Sequence, residues 1–575
     1  MRPAKFLLCA ILSLANLALA AQKPEFGPVP GWVQPAVLPA SADRDDAPVK
    51  LILMDWQFKL GTSGAEGYFE SAMRIQTPQG LQSLSTLTLP WNPSTDVLTV
   101  HALQIIRGDQ KVDMLAGGRT FEVLRRENSL EYAALDGVLT AAIQPEGLQV
   151  GDIIDIVYSI KRSDPALLGI SEWIAMGWPS VPISSVRLRG VWSNTDKVQW
   201  KASDSLAGIQ QTRHGDTTEV NLAMANVSPL VLPKGAPARY RLGRYIEFSN
   251  LKSWSQVADH MAPLYAHASS LSPQSTLNAE VARIRRSSTD RRLQAIAALA
   301  LVQDQVRYVF LGMNDGALVP ADADVTWSRR FGDCKAKTAL LIALLRALGI
   351  DAQPVAVNTL DGESVKSGLP MVAAFNHVLV RANIDGNTYW LDGTGSGDRQ
   401  VDELLMPPYR WGLPLVPKGD LVAIMPTPAA VPVTDTSIQI DATAGIPGTA
   451  TVHAATAFRG QFAAAMRFTL GSLDAKARER ALREFWSKVL DSVTIDKVES
   501  RFDEKDAKEY FTMEGSRSLA WVNGREQLEG IDFNYRSDFQ RPEDERSDAP
   551  FAVTFPSYSR ITETVKLPQA DSGFW

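Results

Sequence analysis

Residues 329 to 350, "RRFGDCKAKTALLIALLRALGI", constrain the fold more than any other stretch. Gly332 permits a sharp turn, Asp333 is a good helix N-cap, and Ala339, Leu340, Ala343, Leu344, Ala347 and Leu348 follow at helical spacing until Gly349 stops the run. The chain must therefore bury one face of a helix whose first turn carries Cys334. A thiol there meets unpaired backbone N–H groups and the positive end of the helix dipole, both of which favour thiolate. Lys335 and Lys337 add charge of the same sense.

The chain holds only two cysteines, and the other one sets the context. Cys9 lies within "FLLCAILSLANLALA", an apolar run preceded by Arg2 and Lys5 and closed by Ala18-Leu19-Ala20. That pattern reads as a cleaved signal peptide over residues 1–21, and the bulky residues before Cys9 lack the small-residue context of a lipid-attachment site. The expected location is periplasmic or secreted, with Cys334 the one thiol retained. A small buried hydrophobe is the plainer role for a free cysteine, but a helix start suits an inert core residue poorly. With no Cys-x-x-Cys and no resolving cysteine, a redox role is disfavoured.

Without Arg2 and Lys5, 56 basic residues face 64 acidic ones, a formal charge of -8 that argues against a nucleic-acid partner. No apolar stretch after the leader approaches the roughly 20 residues that cross a bilayer, so a soluble rather than membrane-spanning chain is expected. The expected class is multidomain α+β. Residues 22–47, rich in proline, read as an extended linker, and residues 48–245, with strand runs such as "QVGDIIDIVYSIKR", as an N-terminal β-sandwich. Residues 250–420 turn helical and then give three strands, "AQPVAVNT", "FNHVLVRANI" and "TYWLDGT". Residues 425–575 read as a β-rich domain with one long amphipathic helix, in which Leu482, Phe485, Trp486, Val489 and Leu490 share a stripe.

A cysteine nucleophile needs a base in reach and a group that orients the base. Of six histidines, His101, His214 and His453 fall in the β-rich flanks, and His260 and His267 precede the core helices, which leaves His377. If Asp385-Gly386 makes a two-residue hairpin turn, His377 faces Thr394 and Leu379 faces Asp392. Asp392 then lies one diagonal step from His377 on the same sheet face, within reach of an imidazole. A turn one residue longer or shorter would put them on opposite faces. A Cys334-His377-Asp392 triad is the expectation, with the backbone N–H of Cys334 and the Tyr308 side chain as oxyanion donors and Trp327 behind them. The chain has no H-E-x-x-H, no phosphate-binding lysine loop, no dinucleotide fingerprint and no acidic calcium loop, so neither metal nor cofactor is expected. Five arginines between Arg283 and Arg292 read as a solvated helix face.

The motifs "FGDCKAKTALLIALLRALGI" and "FNHVLVRANIDGNTYWLDGT" resemble those of the transglutaminase-like superfamily of papain-fold cysteine enzymes over about residues 250–420. The upstream β-rich segment resembles, through "LQVGDIIDIVYSIKR", the uncharacterised domain that often precedes such domains in exported bacterial proteins. The resemblance implies Cys334 as nucleophile, His377 as base and acid, and Asp392 as the group that fixes the imidazole's tautomer. This chain departs from the common pattern at Ala336, where an Asp is usual, and at Gly393, where Pro or Ala is usual. The expected activity is cleavage or transfer of peptide or side-chain amide acyl groups through a thioester, with hydrolysis favoured and a protein or peptide partner, possibly of the cell envelope. The alternative is a non-catalytic envelope-binding scaffold with a degenerate central domain.

Overall fold

The computed structural model describes residues 23–39, 46–125, 134–135, 138–176, 181–240, 243–311, 318–445, 448–490, 492–518, 539–542 and 548–568. The expected signal peptide lies outside these.

The N-terminal unit is built on a nine-stranded sheet whose long members are Val49–Gly61, Gly64–Ile75, Asp96–Arg107, Ile153–Arg162, Ile183–Ser193 and Thr217–Val227. Two three-stranded sheets pack on one face, as a sandwich requires. Leu87–Trp91, Glu122–Arg125 and Leu139–Ile143 close a core around Leu98, Leu103 and Ile154; Glu172–Met176, Gln199–Ala202 and Tyr245–Ser249 close another around Phe58, Leu188 and Phe248.

The opposite face carries Asp55, Gln57, Glu70 and Asp155, all buried. The proline-rich lead-in covers them. It is extended, as its composition predicts, yet it is a strap rather than a spacer: Gln34 exchanges two backbone hydrogen bonds with the Gln57 amide, and Arg189 donates to the Trp32 carbonyl at 2.8 Å. The strap works because a polar sheet face needs partners once it is shut off from water. Arg187 meets both oxygens of Asp55. Burial raises the Asp155 carboxyl to about 7, with the nearby Glu70 charge adding to it.

The central unit sets helices against an antiparallel sheet ordered Asn387–Leu391, His377–Ile384, Asp351–Val357, Arg410–Pro414 and Val422–Ile424, so the three expected strands gain two more. The helix Cys334–Ala347 crosses that sheet and packs on Trp254–Ala268, Leu277–Ser287 and Arg291–Gln305. Leu340, Leu341, Ile342, Leu344 and Leu345 are all fully buried, so it is enclosed on every side. Two of the arginines expected on a solvated face close its far end, Arg285 donating to the Ala347 carbonyl and Arg291 to that of Gly349.

The C-terminal unit is a five-stranded sheet, with Thr434–Asp441 between Thr449–Phe458 and the parallel strand Ser559–Lys566. The expected amphipathic helix, Ala475–Val489, lays Leu482 and Trp486 on this sheet against Phe511 and Met513. A second helix, Gly460–Gly471, precedes it; "GQFAAAMRFTLG" scatters its apolar residues round the cylinder and gives no stripe to read. Among the described residues no helix is long and apolar enough to cross a membrane.

The units lock together through buried carboxylates. Glu172 of the N-terminal unit accepts from the backbone N–H groups of Val372 and Ala373, each at 2.9 Å, and Glu247 accepts from Leu369 at 2.9 Å. Burial raises the Glu172 carboxyl against the pull of those bonds. Glu172→Ala should leave the buried Val372 N–H orphaned, at a cost of about 1–3 kcal/mol, and hand the Ala373 N–H to water. Urea unfolding of the full chain, expected to show a lowered midpoint, checks this.

Candidate active site

Cys334 is the first residue of its helix and is 5% exposed. The Asp333 carboxylate caps the helix by accepting from the Ala336 N–H at 3.0 Å, a contact worth about 1 kcal/mol. Its second oxygen takes the Lys335 ammonium. Lys337 donates to the Val306 carbonyl, and burial lowers its amine to about 8. Both lysines are therefore engaged with oxygen partners of their own, where the sequence suggested a general push on the sulfur. Ala336, the departure, is fully buried, and a Cβ added at Gly332 would lie 2.9 Å from its Cβ, so glycine at 332 lets the turn close on the helix start.

His377 arrives on a strand. Asp385 and Gly386 have φ of 50° and 82°, the left-handed pair that a tight two-residue hairpin needs. The ladder pairs Ile384 with Asn387 and runs out to Val380 and Leu391, the register expected from the turn. Just beyond its end, His377 Nε2 lies 2.8 Å from Asp392 Oδ2. Cys334 is among the groups that raise this imidazole, which puts the sulfur close to the ring. Burial opposes protonation of His377, but its bonds to Asp392 and Cys334, with the negative charge they carry, outweigh it and raise the imidazole to about 10.

Asp392 is held by its own surroundings. Its Oδ1 accepts from the Thr394 N–H at 2.8 Å and hydroxyl at 2.7 Å, and its carbonyl accepts from Gln303 Nε2 at 3.0 Å. Burial would raise this carboxyl, yet the His377 imidazolium and the Thr394 donors overcome that and keep it below the usual carboxylate range. Thr338, one turn into the cysteine helix, donates to the Val378 carbonyl at 2.9 Å. That bond ties the cysteine helix to the strand that carries His377. At Gly393 an added Cβ would stand 3.3 Å from Val302 Cγ1 and 3.4 Å from the Lys337 carbonyl, so glycine here fits a tight seat beside the helix.

The two aromatic candidates separate. Tyr308 pairs in parallel with Gly332, immediately before the capped helix. Burial, then the charges of Cys334, Asp333 and Asp392, hold its phenol well above the ordinary range. Trp327 sits instead in the helical core with Leu340 and Leu344, its ring covered by Arg330 at 3.4 Å. Two tyrosines escaped the sequence reading. Tyr409 stands edge-on to His377, ring centroids 6.5 Å apart, and burial raises its phenol to about 12. Tyr265 is fully buried under the sulfur's end of the helix, raised by burial and by Cys334 and Asp333. Neither lies in a motif, so only the tertiary fold brings them in; Thr394, two residues after Asp392, was readable as a local turn partner. His101 is taken up by Gly27 and Ser159, and His260 by Ala166. Among the described residues no cluster of three or more His, Cys, Asp or Glu side chains could hold a metal ion.

Residues 278–411 match the family model of the transglutaminase-like superfamily, and residues 63–231 match that of a domain of unknown function with a solved structure, DUF3857. A crystal structure of a candidate protease from Parabacteroides distasonis superposes with a TM-score of 0.53 at 14% identity, covering 82% of this chain and 94% of that one; at this identity the likeness is one of fold. A candidate cysteine protease from Cytophaga hutchinsonii aligns at 15% identity over 39% of this chain and 71% of its own, with a TM-score of 0.17. No curated protein matches.

Because the folded imidazole titrates above its unfolded value of about 6.5, the stability it contributes is present in full below that pH and is lost as pH rises through about 10. Thermal melts of the full chain should fall over this window, and His377→Gln should flatten the fall. In ¹³C-histidine NMR the wild-type ring should stay protonated past pH 8, whereas Asp392→Asn should bring its titration below 7.

Proposed function

With residues 278–411 a transglutaminase-like domain behind a DUF3857 domain, we propose that the chain is an exported cysteine enzyme that opens peptide or side-chain amides. Cys334 is the nucleophile, His377 the acid and base, and Asp392 the group that orients the imidazole. The observation that carries this reading is the His377 ring bonded to a carboxylate at 2.8 Å, with the thiol of a capped helix start beside it. Three groups in that relation are what acyl transfer to sulfur requires, and a satisfied structural histidine needs only one of them.

The Cys334 sulfur attacks the carbonyl carbon while the carbonyl π-electrons move to oxygen, where the Cys334 backbone N–H and the Tyr308 hydroxyl are our candidate donors. Collapse breaks the C–N bond; the leaving amine takes the proton held on His377 and departs, leaving a thioester. Water then gives its proton to His377 and its oxygen to the acyl carbon. Sulfur leaves as thiolate and the imidazolium is restored. Asp392 keeps its charge throughout and holds the ring through Nε2. Water is favoured as acceptor because it is present at tens of molar, whereas an amine would need a pocket of its own.

Iodoacetamide near pH 6 should alkylate Cys334 much faster than free cysteine, and His377→Ala should slow it to the free-thiol rate. Labelling of the wild type no faster than free cysteine would favour a scaffold. Asp392→Asn should lower kcat by roughly 10³–10⁴ with the fold intact, as loss of the orienting carboxylate does in hydrolytic triads. Export rests on the leader at residues 1–21. N-terminal sequencing of protein from the extracellular or periplasmic fraction should begin near residue 22; a chain retaining residues 1–21 would refute processing.

A further inference from the structure

A cavity of about 290 Å³ lies along the seam between the central and C-terminal units, on the carboxylate side of the triad. Leu379, Trp390 and Met406 line it from the central unit, and Phe462 and Phe555 from the C-terminal one. Asp392 borders it. So does Tyr409, whose ring stands edge-on to His377.

Its central charges pair across the seam: Glu403 Oε1 is met by Arg459 at 3.1 Å and by Lys508 at 3.6 Å, while Glu403 Oε2 and Arg459 Nε are buried without a partner among the described residues. Asp398 accepts from Gln303 at 2.7 Å. A charged occupant would lose its water beside charges that already form an ion pair, whereas an apolar side chain would be covered on both sides by the apolar lining. Phe462 and Phe555 are 42% and 47% exposed at the edge of this space. Large aromatics left in water beside an apolar hollow are the mark of a surface that something covers. The seam is fixed in place, since a Cβ on Gly397 would come within 2.8 Å of the Gly460 carbonyl oxygen.

We propose that this cavity is a subsite for a large apolar side chain of the peptide substrate, and that the C-terminal domain is half of the specificity machinery. The proposal rests on the amide-cleaving reading above. Extended peptide advances about 3.3 Å per residue, so two or three residues carry a chain from the reacting carbonyl past Tyr409, whose ring centre is 6.5 Å from that of His377. The side chain so placed is uncharged, and aromatic or branched aliphatic.

The test separates binding from chemistry. Full-length Cys334→Ser protein is titrated with fluorescein-labelled hexapeptides that vary one position among Phe, Leu, Ser, Asp and Lys. Phe or Leu at one fixed position should bind at least tenfold tighter than Ser, Asp or Lys. Ser396→Trp, which projects an indole from the cavity wall, and Phe462→Ala, which removes one lip, should each reduce that preference to within about twofold. Absence of any apolar preference, or its survival in both variants, overturns the subsite. An apolar preference lost in the variants, alongside slow alkylation of wild-type Cys334, supports the subsite while defeating the catalytic reading, so the two fail separately.

Discussion

An imidazole that is buried and still charged needs that charge supported from within, because water cannot do it. At His377 that support is Asp392, with Cys334 on hand as well, and the rest of the central unit is arranged so that these three cannot drift apart. The cysteine helix is enclosed by helices and sheet, its start is sealed by the Gly332–Ala336 contact, and Thr338 pins it to the strand that carries the base. Rigidity is what the chemistry demands: a shift of about 1 Å in a reacting pair can cost a hundredfold in rate.

The flanking units extend this support. Glu172 and Glu247 reach from the N-terminal sandwich to cap the backbone at residues 369–373, four residues before His377, and Ala134–Leu135 pairs with Phe310–Leu311 just after Tyr308. The sandwich thus braces both loops that lead into the site. Its own integrity rests on a polar sheet face sealed by the strap at residues 32–38, where Arg187 pairs with Asp55 and Arg189 donates to the Trp32 carbonyl. Buried polar groups of this kind add little net stability, but any other placement of the strap would strip Gln57 and Arg189 of these partners.

Legibility followed the range of the interactions. The capped cysteine helix, the hairpin register and the His377–Asp392 diagonal were readable because each is local or is fixed by one tight turn. Asp385-Gly386 sets every pairing above it, and the observed ladder obeys it. Trp327 misled because an aromatic near a site and an aromatic in a core look alike until packing is known. Tyr409, Tyr265 and Gln303 were invisible for the complementary reason: each comes from a distant segment, and nothing in its neighbours announces the contact. The strap was read as a spacer because proline-rich sequence encodes extension without encoding what the extension lies upon. The helix at Gly460–Gly471 was missed because its buried face is only Ala463 and Leu470.

The arrangement also bears on why the transglutaminase-like unit sits between two β-rich ones. A papain-like centre has its nucleophile on one layer and its base on the other, so the substrate must lie along the seam between them. In this chain the walls beyond that seam are not supplied by the central unit alone: Arg459 and Phe462 follow a strand of the C-terminal sheet, and Phe555 precedes its last strand. Glu403, from the central unit, meets Arg459 and Lys508 across the boundary and anchors the two halves in register. Because catalysis favours interactions made at the transition state, contacts remote from the bond can be used to hold it in place. A wall that belongs to a second domain lets those contacts vary while the triad and its braces stay fixed.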